Sequence, residues 1–212
     1  FRLPLLSQGR RPERFPFQVS VDGMEHLRQA FEGGRGVLIL SAHLGNWELM
    51  AAWTAHLGYP LSLLTRKIRQ PVFNRWMLDT RKALGIHSIY KKDSVREMIS
   101  RLKKGESVAF VLDQKVNHRE GVKVRFFDRP AWTISGLAMF SSRYDVPVLP
   151  MFTFREEGSR HRIVIEPPIY FKATGTMEES IQEHTQLYSD ILERHIRTHP
   201  EQWIWMHKRW QE

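Results

Sequence analysis

The chain has 212 residues, with 32 Lys and Arg against 23 Asp and Glu, a net charge of +9 with histidine neutral. That length carries one large domain or two small ones, and 42% hydrophobic with 26% charged residues is a globular balance, which excludes a disordered tail and a collagen-like repeat. The absence of cysteine excludes disulfide frameworks, thiolate zinc sites and Cys nucleophiles, leaving histidines, carboxylates and hydroxyls to carry any chemistry.

Residues 1–20, with Pro4, Pro12 and Pro16 among arginines and no periodicity, read as an extended N-terminal arm before a single domain over 21–212. From Gly33-Gly34 onward, strands and helices alternate. Val37 to Ser41 is a short apolar strand, and Asn46 caps a helix over Trp47 to Leu57 that is apolar on nearly every face, the pattern of a helix that is buried or touches lipid. Leu61 to Thr65 reads as a strand, Pro71 to Leu84 as a helix with proline at its start, and Ser88 to Tyr90 as a strand. A helix over Ser94 to Lys104 and a buried strand over Ser107 to Leu112 follow. Val122 to Phe127 alternates like an edge strand, Ile134 to Tyr144 reads as a helix, and Val148 to Phe154 and Arg162 to Glu166 as strands. Glu178 to Ile196 has helical spacing, and Pro200 opens a last short helix carrying three tryptophans.

This alternation predicts an α/β fold with a central, mostly parallel or mixed sheet flanked by helices. Ligands gather at the C-terminal ends of the strands in such sheets, which directs attention to Ser41 to Glu48 and Asp113 to Lys115. No apolar run approaches the roughly 18 residues of a membrane span. A chain that begins at Phe1 without a signal peptide reads as a segment of something longer, with an anchor upstream. The basic charge implies an anionic partner: nucleic acid, anionic lipid or an acidic carrier. No phosphate-cradling Gly-rich loop, aromatic RNA signature or zinc-finger spacing accompanies it, so nucleic acid is not expected.

Ser41-Ala-His-Leu-Gly-Asn-Trp-Glu48 carries the chemistry best. On a continuous helix His43 and Glu48 would stand about 140° apart, since each residue turns it by ~100°. With His43 in the turn after the strand and Glu48 in the first turn of the helix, the two can meet, Glu48 holding one imidazole nitrogen while the other removes a proton from a hydroxyl. The same residues are compatible with a loop histidine and a carboxylate that merely complements the helix dipole.

The segment Ala42 to Glu48 resembles the H-x4-D/E motif of the lysophospholipid acyltransferase-like superfamily. Its His-x-Gly-Asn-Trp-Glu form is similar to the lipid A biosynthesis acyltransferases, the lauroyl and myristoyl transferases of Gram-negative bacteria. Ordered matches at Asn74-Arg75-Trp76 with Arg81, Asp113-Gln114, Val124 to Thr133, Pro147 to Pro150 and Pro200 to Trp210 extend the resemblance over nearly the whole chain. Asp128 stands where the family has glycine. The resemblance implies a glycerolipid acyltransferase-like fold and transfer of a fatty acyl group from an acyl carrier protein thioester to a hydroxyl of a lipid A precursor, without metal or cofactor. It makes His43 the base, Glu48 its partner, and Arg75, Asp113 and Gln114 the substrate-binding residues. The implied place is the cytoplasmic face of the bacterial inner membrane, on an anionic membrane surface. The alternatives are another glycolipid or aminolipid acyltransferase using acyl-CoA, and a non-catalytic anionic-lipid-binding module. His195 and His199, at i and i+4, have spacing that suits zinc but no third ligand nearby. Trp203, Trp205 and Trp210 suit a membrane-interface belt or terminal packing. Lys91-Lys92 with Arg96, Arg101, Lys103 and Lys104 form a solvated face or a docking patch for an acidic carrier or lipid phosphates.

Overall fold

The computed structural model describes residues 15, 17–90 and 94–210. Most of the arm and the Lys91-Lys92 pair lie outside the described residues. The elements run β1 (Gln18–Asp22), α1 (Met24–Glu32), β2 (Val37–Ser41), α2 (Trp47–His56), β3 (Leu61–Thr65), α3 (Pro71–Ala83), β4 (Ile86–Tyr90), α4 (Ser94–Lys103), β5 (Ser107–Val111), β6 (Gly121–Phe126), β7 (Arg129–Ile134), α5 (Gly136–Tyr144), β8 (Val148–Arg155), β9 (Arg160–Ile165) and α6 (Met177–Thr198), followed by a single 3₁₀ turn at Pro200–Gln202.

Seven strands form one sheet in the order β1-β9-β8-β2-β5-β3-β4, parallel except for the β8–β9 pair. The expected α/β architecture is therefore present. Alternation along β2 shows why it needs helices on both faces: Val37 and Ile39 pack with α1 and α2, while Leu38 and Leu40 join the core built with α4, α5 and α6. A strand apolar on both faces stays soluble only when both are covered. The same demand explains α2, whose Leu49 to Ala55 are all buried, so it is a core helix.

Two expectations change. The end of the arm is not irregular: Gln18–Asp22 forms the edge strand β1, parallel to β9. The segment 121–134 does not border the main sheet but forms a separate antiparallel hairpin, β6–β7. Its two-residue loop, Phe127-Asp128, has positive φ at both positions (52° and 58°), the geometry that favours Asn, Asp and Gly, so aspartate substitutes for the glycine of the family pattern.

Strands β3 and β4 lie beyond β5, and β8 on the other side of β2, so the chain direction across the sheet reverses at β2/β5. At such a switch point the loops leaving the two strands diverge and open a crevice at their C-terminal ends.

Candidate functional site

The two strands at this point set the site by register. Ser41 of β2 is paired with Val111 of β5, and two residues beyond each stand His43 and Asp113. Asp113 Oδ1 lies 2.8 Å from His43 Nδ1, and Asp113 Oδ2 accepts from the His43 backbone N–H at 3.2 Å and from Trp203 Nε1 at 2.8 Å. The carboxylate is fully buried. Burial by itself would raise its pKa, but the hydrogen bond and charge of His43, the Trp203 indole and the His43 amide together outweigh that and hold Asp113 below the ordinary carboxylate value. An ionised acceptor on Nδ1 fixes the proton there, leaving Nε2 as the imidazole's basic atom.

Gln114, the next residue, directs its side-chain nitrogen to His43 Nε2 at 3.2 Å and to His207 Nε2 at 2.9 Å. Its backbone carbonyl is fixed by Arg209 Nη1 at 3.3 Å. Arg209 is fully buried, bonds the Trp132 carbonyl at 2.6 Å and Thr133 Oγ1, and lies over the Phe126 ring. Burial brings its pKa down to about 10 against the pull of Asp113, so it stays cationic at neutral pH.

The turn carrying His43 is clamped from behind. Gly45 donates to the Gln202 carbonyl at 3.0 Å, Ile204 donates to the His43 carbonyl at 3.2 Å, and Asn46 caps α2 by accepting from Leu49 N–H at 3.0 Å. Gly45 has φ +58°, and a Cβ there would sit 2.0 Å from the Thr153 carbonyl oxygen, so only glycine fits. Trp47 sets its ring edge-on to His43, centroids 4.8 Å apart.

The sequence-derived partnership of His43 with Glu48 is corrected here. The Glu48 carboxylate is engaged by Arg81, through Nε at 3.0 Å and through Nη2, and the carboxylate on the imidazole is that of Asp113. The reason is direction: Glu48 begins α2 and faces α3, whereas Asp113 leaves the strand next to that of His43. Asp113 is fully buried, with its oxygens bonded to His43 and Trp203. Arg75 is not brought to the site. Its side chain is 87% exposed on the outer side of α3 with Asp79 at 3.8 Å, and Arg81, about one and two-thirds turns on, is the arginine of that helix that faces inward. Trp203 and Arg209 belong to the site rather than to a membrane belt, though Trp205 is half exposed. His195 and His199 go to separate partners, Glu166 at 2.6 Å and Thr198 at 2.9 Å. Among the described residues no group of three or more His, Asp or Glu could hold a metal ion.

His43 and Gln114 open onto a cavity of about 490 Å³. Its lining includes the apolar Met98, Phe110, Ile134 and Phe140, with Arg66 and Lys115 bringing positive charge, Glu120 negative charge and Arg81 already paired with Glu48. A buried carboxylate on one imidazole nitrogen, a neutral amide on the other, and an apolar recess beside them make an arrangement that can activate a hydroxyl next to a hydrocarbon chain.

Comparison with known proteins agrees with this class. Residues 6–212 match the bacterial lipid A biosynthesis acyltransferase family, and the chain belongs to that family. It is 23% identical to a phosphatidylinositol mannoside acyltransferase of Mycolicibacterium smegmatis over 99% of its own length and 67% of that protein's. It is 26% identical to the lipid A biosynthesis lauroyltransferase of Escherichia coli K12, over 90% and 61% of the respective lengths, and 22% identical to a Haemophilus influenzae lipid A biosynthesis acyltransferase, spanning 56% of it. The chain thus covers little more than half to two thirds of these relatives. The crystal structure of a 1-acyl-sn-glycerophosphate acyltransferase from Thermotoga maritima shares the fold, with a TM-score of 0.51 at 15% identity over 86% of this chain and 72% of that one. No helix among the described residues is long and apolar enough to cross a membrane.

Proposed function

We propose that the protein transfers a fatty acyl group from a thioester, carried by acyl carrier protein, to a hydroxyl of a lipid A precursor. The observation that carries this reading is His43 held between buried Asp113 and an apolar-lined cavity. The acceptor hydroxyl displaces the Gln114 amide from His43 Nε2 and gives its proton to that nitrogen as its oxygen attacks the thioester carbonyl carbon. Asp113 stabilises the imidazolium so formed. The carbonyl oxygen becomes an oxyanion, toward which the freed Gln114 amide donates. Collapse reforms the carbonyl and breaks the carbon–sulfur bond, and the thiolate recovers the proton from His43. Products are an ester and a free thiol, with no covalent enzyme intermediate.

The apolar wall accepts the acyl chain, and Arg66 and Lys115 suit acceptor phosphates. Glu48 and Arg81 brace α2 against α3 at the edge of the cavity. The enzyme would work at the cytoplasmic face of the bacterial inner membrane. The likeness to a mannoside acyltransferase over 99% of the chain favours a second reading, a mannosyl lipid acceptor. Incubating the protein with acyl carrier protein and coenzyme A thioesters against both acceptors, and weighing the products by mass spectrometry, separates these. His43→Ala should lower transfer by about 10²–10⁴-fold with the fold intact, and wild-type turnover by that variant would defeat the proposal.

A further inference from the structure

An amphipathic helix on a soluble domain turns its apolar side inward, and α3 does so only in part. Its inward side carries Asn74, Met77, Leu78 and Arg81. At about 100° per residue, Val72, Phe73 and Trp76 gather on the opposite side. They are 74%, 52% and 59% exposed, and the Phe73 and Trp76 rings stack 5.3 Å apart.

Two observations say what covers this face. The first is charge. Arg66, Lys67 and Arg69, in the loop entering α3, and Arg75, on its flank, are all exposed, while the one acidic side chain on that outer side, Asp79, is partly offset by Arg75. The second is position. Asn74 bonds Tyr90 at the end of β4 and the Ile68 amide, which fixes the first turn of α3 at the strand-end edge of the sheet where His43 lies. The cavity rim on this edge adds two more exposed apolar side chains, Val95 and Met139. Stacked aromatics beside a band of Lys and Arg suit the boundary between lipid headgroups and acyl chains, where indole rings concentrate and cations meet anionic phosphates.

We propose that the outer face of α3 is the surface by which the protein seats on an anionic phospholipid bilayer, Phe73 and Trp76 entering the interface and the loop cations lying on the headgroups. The seating turns the cavity mouth toward the membrane, so a lipid acceptor reaches His43 without its hydrocarbon crossing water. This rests on the proposed lipid acyl transfer for its purpose, though not for its test.

The test is co-sedimentation of the protein with vesicles of phosphatidylcholine alone and of phosphatidylcholine mixed equally with phosphatidylglycerol. Phe73→Ser/Trp76→Ser should weaken partition into the mixed vesicles by at least about tenfold at low and high salt. Lys67→Glu/Arg69→Glu should abolish the preference for mixed over neutral vesicles, since each cation near an anionic surface contributes about fivefold. Met177→Ser/Leu187→Ser, which removes exposed apolar side chains on α6, should change nothing. Undiminished partition by the α3 double serine variant overturns the proposal. So does a shift of that variant from dimer to monomer in sedimentation with vesicle binding intact, which would assign the face to a second copy of the chain. Transfer measured in detergent micelles keeps the two readings apart: an inactive wild type that binds vesicles through α3 overturns the acyl transfer alone.

Discussion

Asp113→Asn tests the site more sharply than removal of the histidine does. The buried carboxylate accepts one hydrogen bond on Oδ1, from His43 Nδ1, and two on Oδ2, from the His43 amide and the Trp203 indole. Asparagine offers one acceptor and one donor at these places. With its NH₂ at Oδ2 it would face two fixed donors, so it should settle with the NH₂ toward His43 Nδ1, keeping the two bonds at the other position and exchanging the charge-assisted bond at Nδ1 for a neutral, reversed one. A hydrogen bond to a charged group contributes about 1.5–3 kcal/mol, and in a domain of this size each kcal/mol moves Tm by about 2–4 °C, so the variant should stay folded with Tm lowered by roughly 3–12 °C. The catalytic cost is larger. An amide donor at Nδ1 forces the imidazole proton onto Nε2, where the acceptor hydroxyl must deliver its own. The expected loss is on the order of 10²–10⁴ in kcat with KM little changed. Steady-state transfer with a saturating thioester, beside calorimetric melting, provides both numbers. A folded Asp113→Asn enzyme retaining more than about a tenth of wild-type kcat would refute the assignment of Asp113 as the group that orients His43.

Glu48→Gln should cost less than about tenfold in kcat and less than about 1 kcal/mol in stability, because Glu48 is partly exposed and bonded to Arg81; a loss equal to that of Asp113→Asn would mean Glu48 reaches the imidazole during the reaction. Gln114→Leu should lower kcat by about 10²–10³ with KM preserved, as removal of an oxyanion donor does, and an unchanged kcat assigns the oxyanion to other groups. A Cβ on Gly136 would sit 3.7–3.9 Å from Ile134 and Phe110 atoms, ordinary contact distance, so Gly136→Leu should fold, intrude on the cavity and shift donor preference to shorter chains; each excluded methylene costs ~0.8 kcal/mol, about fourfold in kcat/KM, read by competing thioesters of different length. Since Asp113 is held below its unfolded value, its contribution to stability is full above about pH 5 and lost as pH falls through the folded value; the melting gap between wild type and Asp113→Asn should therefore be flat from pH 5 to 8 and close in stronger acid.

The sequence made most of the strands and helices from 37 to 154 legible because apolar runs, proline starts and glycine ends act locally. Asn46 was readable for the same reason: a cap is decided within four residues. The pairing of His43 with Asp113 was not, because it depends on β5 inserting between β2 and β3, and strand order leaves no local mark on either strand. The five-residue spacing favoured Glu48 as partner, yet spacing cannot show that Arg81 claims that carboxylate from 33 positions away. Arg75 and Arg81 illustrate the same limit. Both stand on one helix in the segment resembling the family, and only the phase of α3 against the sheet decides which faces in. The α1 helix and the β7 strand were overlooked for a different reason: α1 is short and buries only Leu27 and Ala30, while Arg129-Pro130 at the start of β7 reads as a turn.

The last nine described residues bear on how the site comes into being. Asp113 is buried with its charge, and burying a carboxylate is unfavourable unless its oxygens are met by donors. Two of its three donors come from His43, two residues past the neighbouring strand, but the third is Trp203, and the buried cation nearby, Arg209, holds the Gln114 carbonyl from the same terminal segment. Gln202 and Ile204 also close on the backbone of the His43 turn. The strands alone would therefore leave Oδ2 of the carboxylate with only the His43 amide, the Gln114 carbonyl without its guanidinium and the histidine turn free on one side. Docking of 202–210 against the strand ends supplies all three together. The geometry around His43 is thus coupled to a contact between residues about 90 positions apart in the chain, and under the proposed mechanism a weakened terminal segment would act on kcat before it acted on the melting of the sheet.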